Sequence, residues 1–110
     1  MAKKYFEQLI NLVESLNIKA ETSKDIKVKH FFSGAALYVN GKICASLTPV
    51  GLAFKLTEKE VAEQISKGKA VPLKYFPKGH IKKDYVLFEA PDLTKIKRWK
   101  KYFNKVIQLE

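Results

Sequence analysis

The side chains with most chemistry in reach are Cys44, His30 and His80. A thiol becomes a nucleophile when a neighbouring base holds it as thiolate, so a Cys44–His pair is the dyad to consider. The competing role for Cys44 is packing. It sits in the alternating run Lys42-Ile43-Cys44-Ala45-Ser46-Leu47, and free cysteine is among the most buried residue types. His30 lies in a strand-like segment and His80 in a Lys-rich turn, and nothing in their spacing brings either to Cys44. Glu58, Glu60 and Glu63 gather at the start of a helix, where acids complement its dipole. Asp84, Glu89 and Asp92 are scattered. One cysteine and two histidines are too few for a zinc site of the usual kind, and no Gly-rich phosphate loop is present. These residues point away from an enzyme: catalytic residues none, metal none, cofactor none.

The charge is the next candidate for chemistry. The chain has 110 residues and a net charge of +10, from 21 basic against 11 acidic residues. Lys67, Lys69, Lys74, Lys78, Lys82 and Lys83 follow one another without an intervening acid, as do Lys95, Lys97, Arg98, Lys100, Lys101 and Lys105. At 100° per residue, Lys97, Arg98, Lys101 and Lys105 share the helix side opposite Ile96, Phe103 and Ile107. Such a face would hold phosphates, with an affinity that falls steeply with salt; it would equally serve as a solvated, solubilising face. Of the 21 basic residues only Arg98 is arginine. Arginine is the usual bidentate reader of guanine, so sequence-specific DNA reading is not expected, and the nucleic-acid alternative is weak, non-specific binding.

These side chains need elements to position them. With 46% hydrophobic and 12% aromatic residues the chain has ample apolar surface for one folded domain over residues 1–110. Phe6, Leu9, Ile10, Val13 and Leu16 recur at helical spacing between Lys3 and Leu16, with Asn17 as a left-handed stop and a loop over Lys19–Lys24. Strands are expected at Ile26–Phe31, Ala35–Val39, Lys42–Thr48 and Leu52–Leu56. Between them fall a bulge or tight bend at Ser33-Gly34, a type I′ hairpin turn at Asn40-Gly41 and a turn at Pro49-Val50-Gly51. Thr57-Glu58-Lys59-Glu60 is a capping box, opening a helix that runs to about Lys67 and stops at Gly68. Two strands follow, Val71–Phe76 and Ile81–Glu89, joined at Pro77-Lys78-Gly79. A last helix is capped by Asp92 and striped by Leu93, Ile96, Trp99, Phe103, Val106 and Ile107.

The run from His30 to Ala45 resembles the signature hairpin of the N-terminal domain of the TfoX/Sxy competence regulators, through Phe32, Gly34, Leu37, Tyr38 and Gly41. Leu52–Leu56, Ala70–Phe76 and Tyr85–Asp92 resemble that family's later strands and the entry to its last helix, so the likeness covers roughly residues 5 to 107. It departs at Ser33, where the family usually has Gly, and at Phe31, where Met is common. The second, C-terminal domain of the competence regulators has no counterpart before Glu110. The resemblance implies a non-catalytic regulatory domain acting through protein–protein contacts, in regulation of DNA competence or transcription.

The elements add up to an α+β fold in two layers, an antiparallel sheet with helices on one face, in the order α-β(3-4)-α-β(2)-α. The other sheet face is left for a partner. Phe6, Phe31 or Phe32, Phe54, Phe88, Trp99 and Phe103 have core periodicity. Tyr38, Tyr75 and Tyr85 on strands, with Tyr102 at the edge of the last helix's stripe, would form a stacking platform or an interface. The expected partners are a second copy, giving a homodimer, and a regulatory protein. No segment approaches the ~20 apolar residues of a membrane span, and no signal peptide is expected, so the expected setting is the cytoplasm.

Overall fold

Helix α1 (Ala2–Ser15) begins the computed structural model, which describes residues 2–74 and 82–109. Leu9, Leu12, Val13 and, just beyond the helix, Leu16 are buried. Asn17 ends the helix at φ 57° with its N–H on the Glu14 carbonyl, as the left-handed tolerance of asparagine allows. The connection to the sheet is tighter than a plain loop. Buried Ile18 accepts from the Glu21 N–H and starts a 3₁₀ turn over Lys19–Glu21.

Among the described residues six strands follow: β1 (Ile26–Phe31), β2 (Gly34–Val39), β3 (Lys42–Thr48), β4 (Gly51–Lys55), β5 (Val71–Leu73) and β6 (Lys82–Phe88). They form one antiparallel sheet in the order β1-β2-β3-β4-β6-β5, leaving β1 and β5 at its edges. The Asn40-Gly41 turn carries φ values of 51° and 82°, as a type I′ turn requires. Asn40 also fastens this turn to the entry of β1: its Oδ1 accepts from the Asp25 N–H and its own N–H donates to the Asp25 carbonyl. The register slips between Leu37 and Tyr38, whose partners are Ala45 and Ile43. Cys44 is the residue skipped, a bulge the alternating sequence did not signal.

Helix α2 (Glu58–Ser66) has the expected capping box: Thr57 Oγ1 accepts from the Glu60 N–H and the Glu60 carboxylate reaches back to the Thr57 N–H. Gly68 stands just past its end at φ 70°. Helix α3 (Ile96–Leu109) starts four residues later than Asp92, so Asp92 is not its N-cap. The Asp92 carboxylate instead accepts from the Thr94 hydroxyl and N–H, a local turn that wins because Asp hydrogen-bonds its own backbone two residues on. The Thr94 hydroxyl, and then its N–H, hold the Asp92 pKa below its ordinary value. The Asp92 carbonyl accepts from the Trp99 indole N–H at 2.8 Å and ties the turn to the helix.

Among the described residues the three helices α1, α2 and α3 lie on one sheet face. Leu9, Leu12, Val13, Val61, Trp99, Phe103 and Val106 pack there with Ala35, Leu37, Val39, Leu47, Leu52, Phe54, Val86 and Phe88. Tyr102 belongs fully to this core instead of its rim: it is buried, and its hydroxyl donates to Gln64 Oε1 of α2 at 2.9 Å. The opposite face is not bare. Ala36, Ser46, Ala53, Leu73, Tyr85 and Leu87 on that side are all buried. The expected strand Val71–Phe76 stops at Leu73, and Tyr75, Phe76, Pro77, Lys78, Gly79, His80 and Ile81 lie outside the described residues. Among the described residues no helix is long and apolar enough to cross a membrane.

Candidate interaction surface

The five hairpin residues have divided roles. Phe31 pairs with Gly34, so the reversal between β1 and β2 is made by Phe32 and Ser33, and Gly34 is already in the strand. The bend therefore falls one residue earlier than Ser33-Gly34. Gly34 is there for close approach, because a Cβ would overlap the Leu47 carbonyl oxygen and lie 2.8 Å from Thr48 Cα. Leu37 is fully buried against α1, and Gly41 completes the second hairpin turn. Tyr38 is half-buried with the Lys29 ammonium 5.0 Å from its ring centre.

Phe32 is different. Its backbone is left-handed at φ 50°, unusual for a bulky residue, and its side chain is 63% exposed at the tip of the hairpin. Its ring centre lies 4.3 Å from that of half-buried Phe31, tilted by 47°. Strand β1 runs from this tip along the sheet edge, where alternate backbone N–H and C=O groups face away from β2. Lys27 and Lys29 project from it as exposed side chains, and Lys27 pairs with Asp25 only at 3.7 Å across solvent-exposed groups. On the helix-facing side of β1 the His30 ring stacks on Phe6 at 4.3 Å and 14°.

Cys44 and His30 are not brought together as a thiol dyad. Cys44 is buried, its Sγ 3.4 Å from the Lys42 carbonyl oxygen. His30 faces Ala35, which faces Leu47, three residues along β3 from Cys44. His80 lies outside the described residues. Among the described residues no three His, Cys, Asp or Glu side chains group as metal ligands.

The basic side of α3 is split by its neighbours. Lys97 and Lys101 are exposed, but Lys105 Nζ is 2.9 Å from Glu60 Oε2 of α2, and the Arg98 guanidinium lies against the rings of Phe88 and Trp99. Lys100 pairs with Glu21 at 2.9 Å, and Lys24 donates to the Ile107 carbonyl at 2.6 Å, placing a cation at the negative end of the helix. Helix α3 is thus clamped from both sides by residues whose partners are distant in sequence. The run of lysines could not show this, since each acid it needs lies on another element.

The Lys105 ammonium, more than the Thr57 hydroxyl and N–H, holds the Glu60 pKa below its ordinary value, against the opposing effect of partial burial. A depressed folded-state pKa adds stability above the unfolded-state value, and that stability is lost as pH falls through the folded-state value. Glu60→Gln keeps the capping box and removes only the ion pair, whose partners are 37% and 27% exposed. The expected loss at pH 7 is about 0.5 kcal/mol. Urea titrations should show this gap closing as the pH is lowered into the carboxylate range; a gap that persists in acid would assign the loss to the cap.

No family model, curated protein or solved structure matches this chain.

Proposed function

We propose that this chain is a non-catalytic interaction domain of the TfoX N-terminal type, acting in the cytoplasm in regulation of DNA competence or transcription. It docks a partner protein at the β1–β2 hairpin tip and along the β1 edge. The observation that supports this reading most is Phe32, a large aromatic side chain held 63% exposed on a left-handed backbone. A non-glycine residue in that region costs about 1 kcal/mol, and it leaves most of the Phe32 surface open to a partner. Aromatic side chains are enriched among interface anchors. The edge strand beside it offers main-chain hydrogen bonds of the kind used in strand addition.

Charge selects between the two expected occupants. A second copy pairing through β1 would set Lys27 and Lys29 against the same lysines of its neighbour, on chains of net charge +10. A partner segment with acids at alternate positions meets them with opposite charge. The domain is therefore read as docking an acidic extended segment of a regulatory protein, in preference to itself.

The test is a quantitative affinity capture comparing the wild-type domain with Phe32→Asp, after circular dichroism has shown both folded. A partner retained by the wild type should lose at least about tenfold in affinity against Phe32→Asp, the effect of a central hot-spot residue. Equal retention by the two would remove the hairpin tip from the function. Light scattering on the free chain belongs to the same experiment, and a concentration-dependent dimer abolished by Phe32→Asp would reassign the edge to self-association.

A further inference from the structure

Arg98 is the only arginine among 21 basic residues, and its position is unlike that of the lysines. Its guanidinium carbon lies 4.7 Å from the Trp99 ring centre and 4.9 Å from that of Phe88. Arginine differs from lysine in being planar: stacked on an aromatic face, it keeps its edge N–H groups pointing outward and already ordered. Among the described residues those N–H groups meet no carboxylate within ion-pair distance.

Arg98 lines a cavity of about 350 Å³ at the β5 edge of the sheet, the edge opposite β1. Its lining includes Arg98, Trp99, Lys69, Glu89, Ala90 and Asp92. The volume is in the lower part of the range for small-molecule sites, ~300–1,000 Å³. Lys69 adds a second cation. Asp92 is committed to Thr94 through one carboxylate oxygen, and exposed Glu89 supplies an acceptor on the same wall. Ala90, a non-glycine residue at φ 45°, sets the turn of the chain that forms this wall, and residues in that region cluster at ligand sites.

We propose that this cavity binds a small organic anion that also carries a hydroxyl or amino group. Its carboxylate or phosphate pairs with Arg98 through two parallel N–H···O bonds, with Lys69 as the second charge. Its hydroxyl or ammonium group donates to Glu89. The two cations and two acids of the lining cancel, so a simple inorganic ion gains little, whereas a ligand with both an anionic head and a donor matches both signs. The site is independent of the hairpin tip and would stand if that reading fell.

Trp99 is the only tryptophan, and its indole N–H already donates to the Asp92 carbonyl in the cavity wall. A single indole cross-peak in a ¹H–¹⁵N spectrum of the full chain therefore reports the site. The probes are glycerol 3-phosphate and L-serine, with inorganic phosphate and acetate as bare head groups and glycerol as the neutral control, all at constant ionic strength. Saturable displacement of the indole peak by glycerol 3-phosphate or serine is expected at millimolar concentration. Arg98→Lys, which keeps the charge and gives up the fork, should weaken it by roughly tenfold, and Arg98→Ala should abolish it. Glu89→Gln should weaken the donor-bearing probes and leave the bare head groups unchanged. A response confined to glycerol 3-phosphate or to serine supports the proposal and names the head group, whereas inorganic phosphate or acetate shifting the peak as strongly as either would overturn it. No saturable shift with any probe up to about 10 mM, or equal shifts in wild type and Arg98→Lys, would overturn the proposal and leave Arg98 as a cover for Trp99 and Phe88.

Discussion

Gly34→Ala is expected to destabilise the domain by about 3 kcal/mol, a large share of the 5–15 kcal/mol that holds an ordinary domain together. The new methyl group would overlap the Leu47 carbonyl oxygen and stand 2.8 Å from Thr48 Cα and 3.0 Å from Thr48 Cγ2. Two of those three atoms are backbone of β3, and that backbone is pinned on its far side by β4 through Leu47 opposite Leu52 and Thr48 opposite Gly51. Relief therefore requires the two strands to part at the end that carries the hairpin tip. Alanine also stiffens the unfolded chain, which stabilises by about 0.4–1 kcal/mol, so the clash still decides the sign. Gly41→Ala is the control. A Cβ at Gly41 meets nothing within 4 Å, but the residue sits at φ 82°, so its cost is conformational alone, about 1 kcal/mol. Urea unfolding followed by circular dichroism should rank Gly34→Ala well below Gly41→Ala. If the two cost the same, close approach is not what demands glycine at position 34.

That contrast shows what the sequence could reveal. Asn40-Gly41 and the Thr57–Glu60 box were legible because the positive φ of the one and the reciprocal bonds of the other are local requirements of their own residues. The succession of helices and strands along the chain and the helix-covered sheet face followed from periodicity and tight turns, whereas the insertion of β6 between β4 and β5 did not. Gly34 was legible as necessary but not as a steric requirement, because the atoms it avoids belong to a strand thirteen residues away. Asp92 departs from its expected N-cap role because a nearer partner competes. It is a good N-cap residue in a good place, but Thr94 two residues on satisfied it first, and the helix waited until Ile96.

The surface was harder to read than the core. Phe31 and Phe32 are equivalent in a pattern of hydrophobicity, and only the register, with Phe31 opposite Gly34, puts Phe32 at the exposed turn. The lysines of α3 looked like one face, yet Glu60 and Glu21 each claim one of them from another element. The scarcity of arginine was visible from composition alone. Its meaning needed two rings, Phe88 from β6 and Trp99 from α3, to be brought under one side chain.

Phe54→Ala is expected to be the most damaging substitution in the core, at about 4 kcal/mol, which for a domain of this size lowers Tm by roughly 15–25 °C. Phe54 is fully buried on β4, between β3 and β6. Its ring touches every element of the aromatic cluster: edge-on to Phe103 at 4.9 Å, stacked with Tyr102 at 5.4 Å and Trp99 at 6.1 Å, edge-on to Phe88 at 6.1 Å. The cavity left by alanine opens beneath α3, under the rings of Trp99, Tyr102 and Phe103, and the half-exposed ion pairs of that helix are worth too little to offset it. Phe54→Leu keeps most of the volume and should cost less than half as much. A double-mutant cycle with Phe103 separates ring geometry from burial. The edge-on pair should show a coupling of about 1 kcal/mol beyond the area each ring hides. Thermal and urea unfolding of the wild type, Phe54→Leu and the three variants of the cycle measure all of these terms. A cost below about 2 kcal/mol for Phe54→Ala would mean that the site collapses readily. The rings beneath Arg98 would then rest on the turn at Asp92, with β4 a minor support.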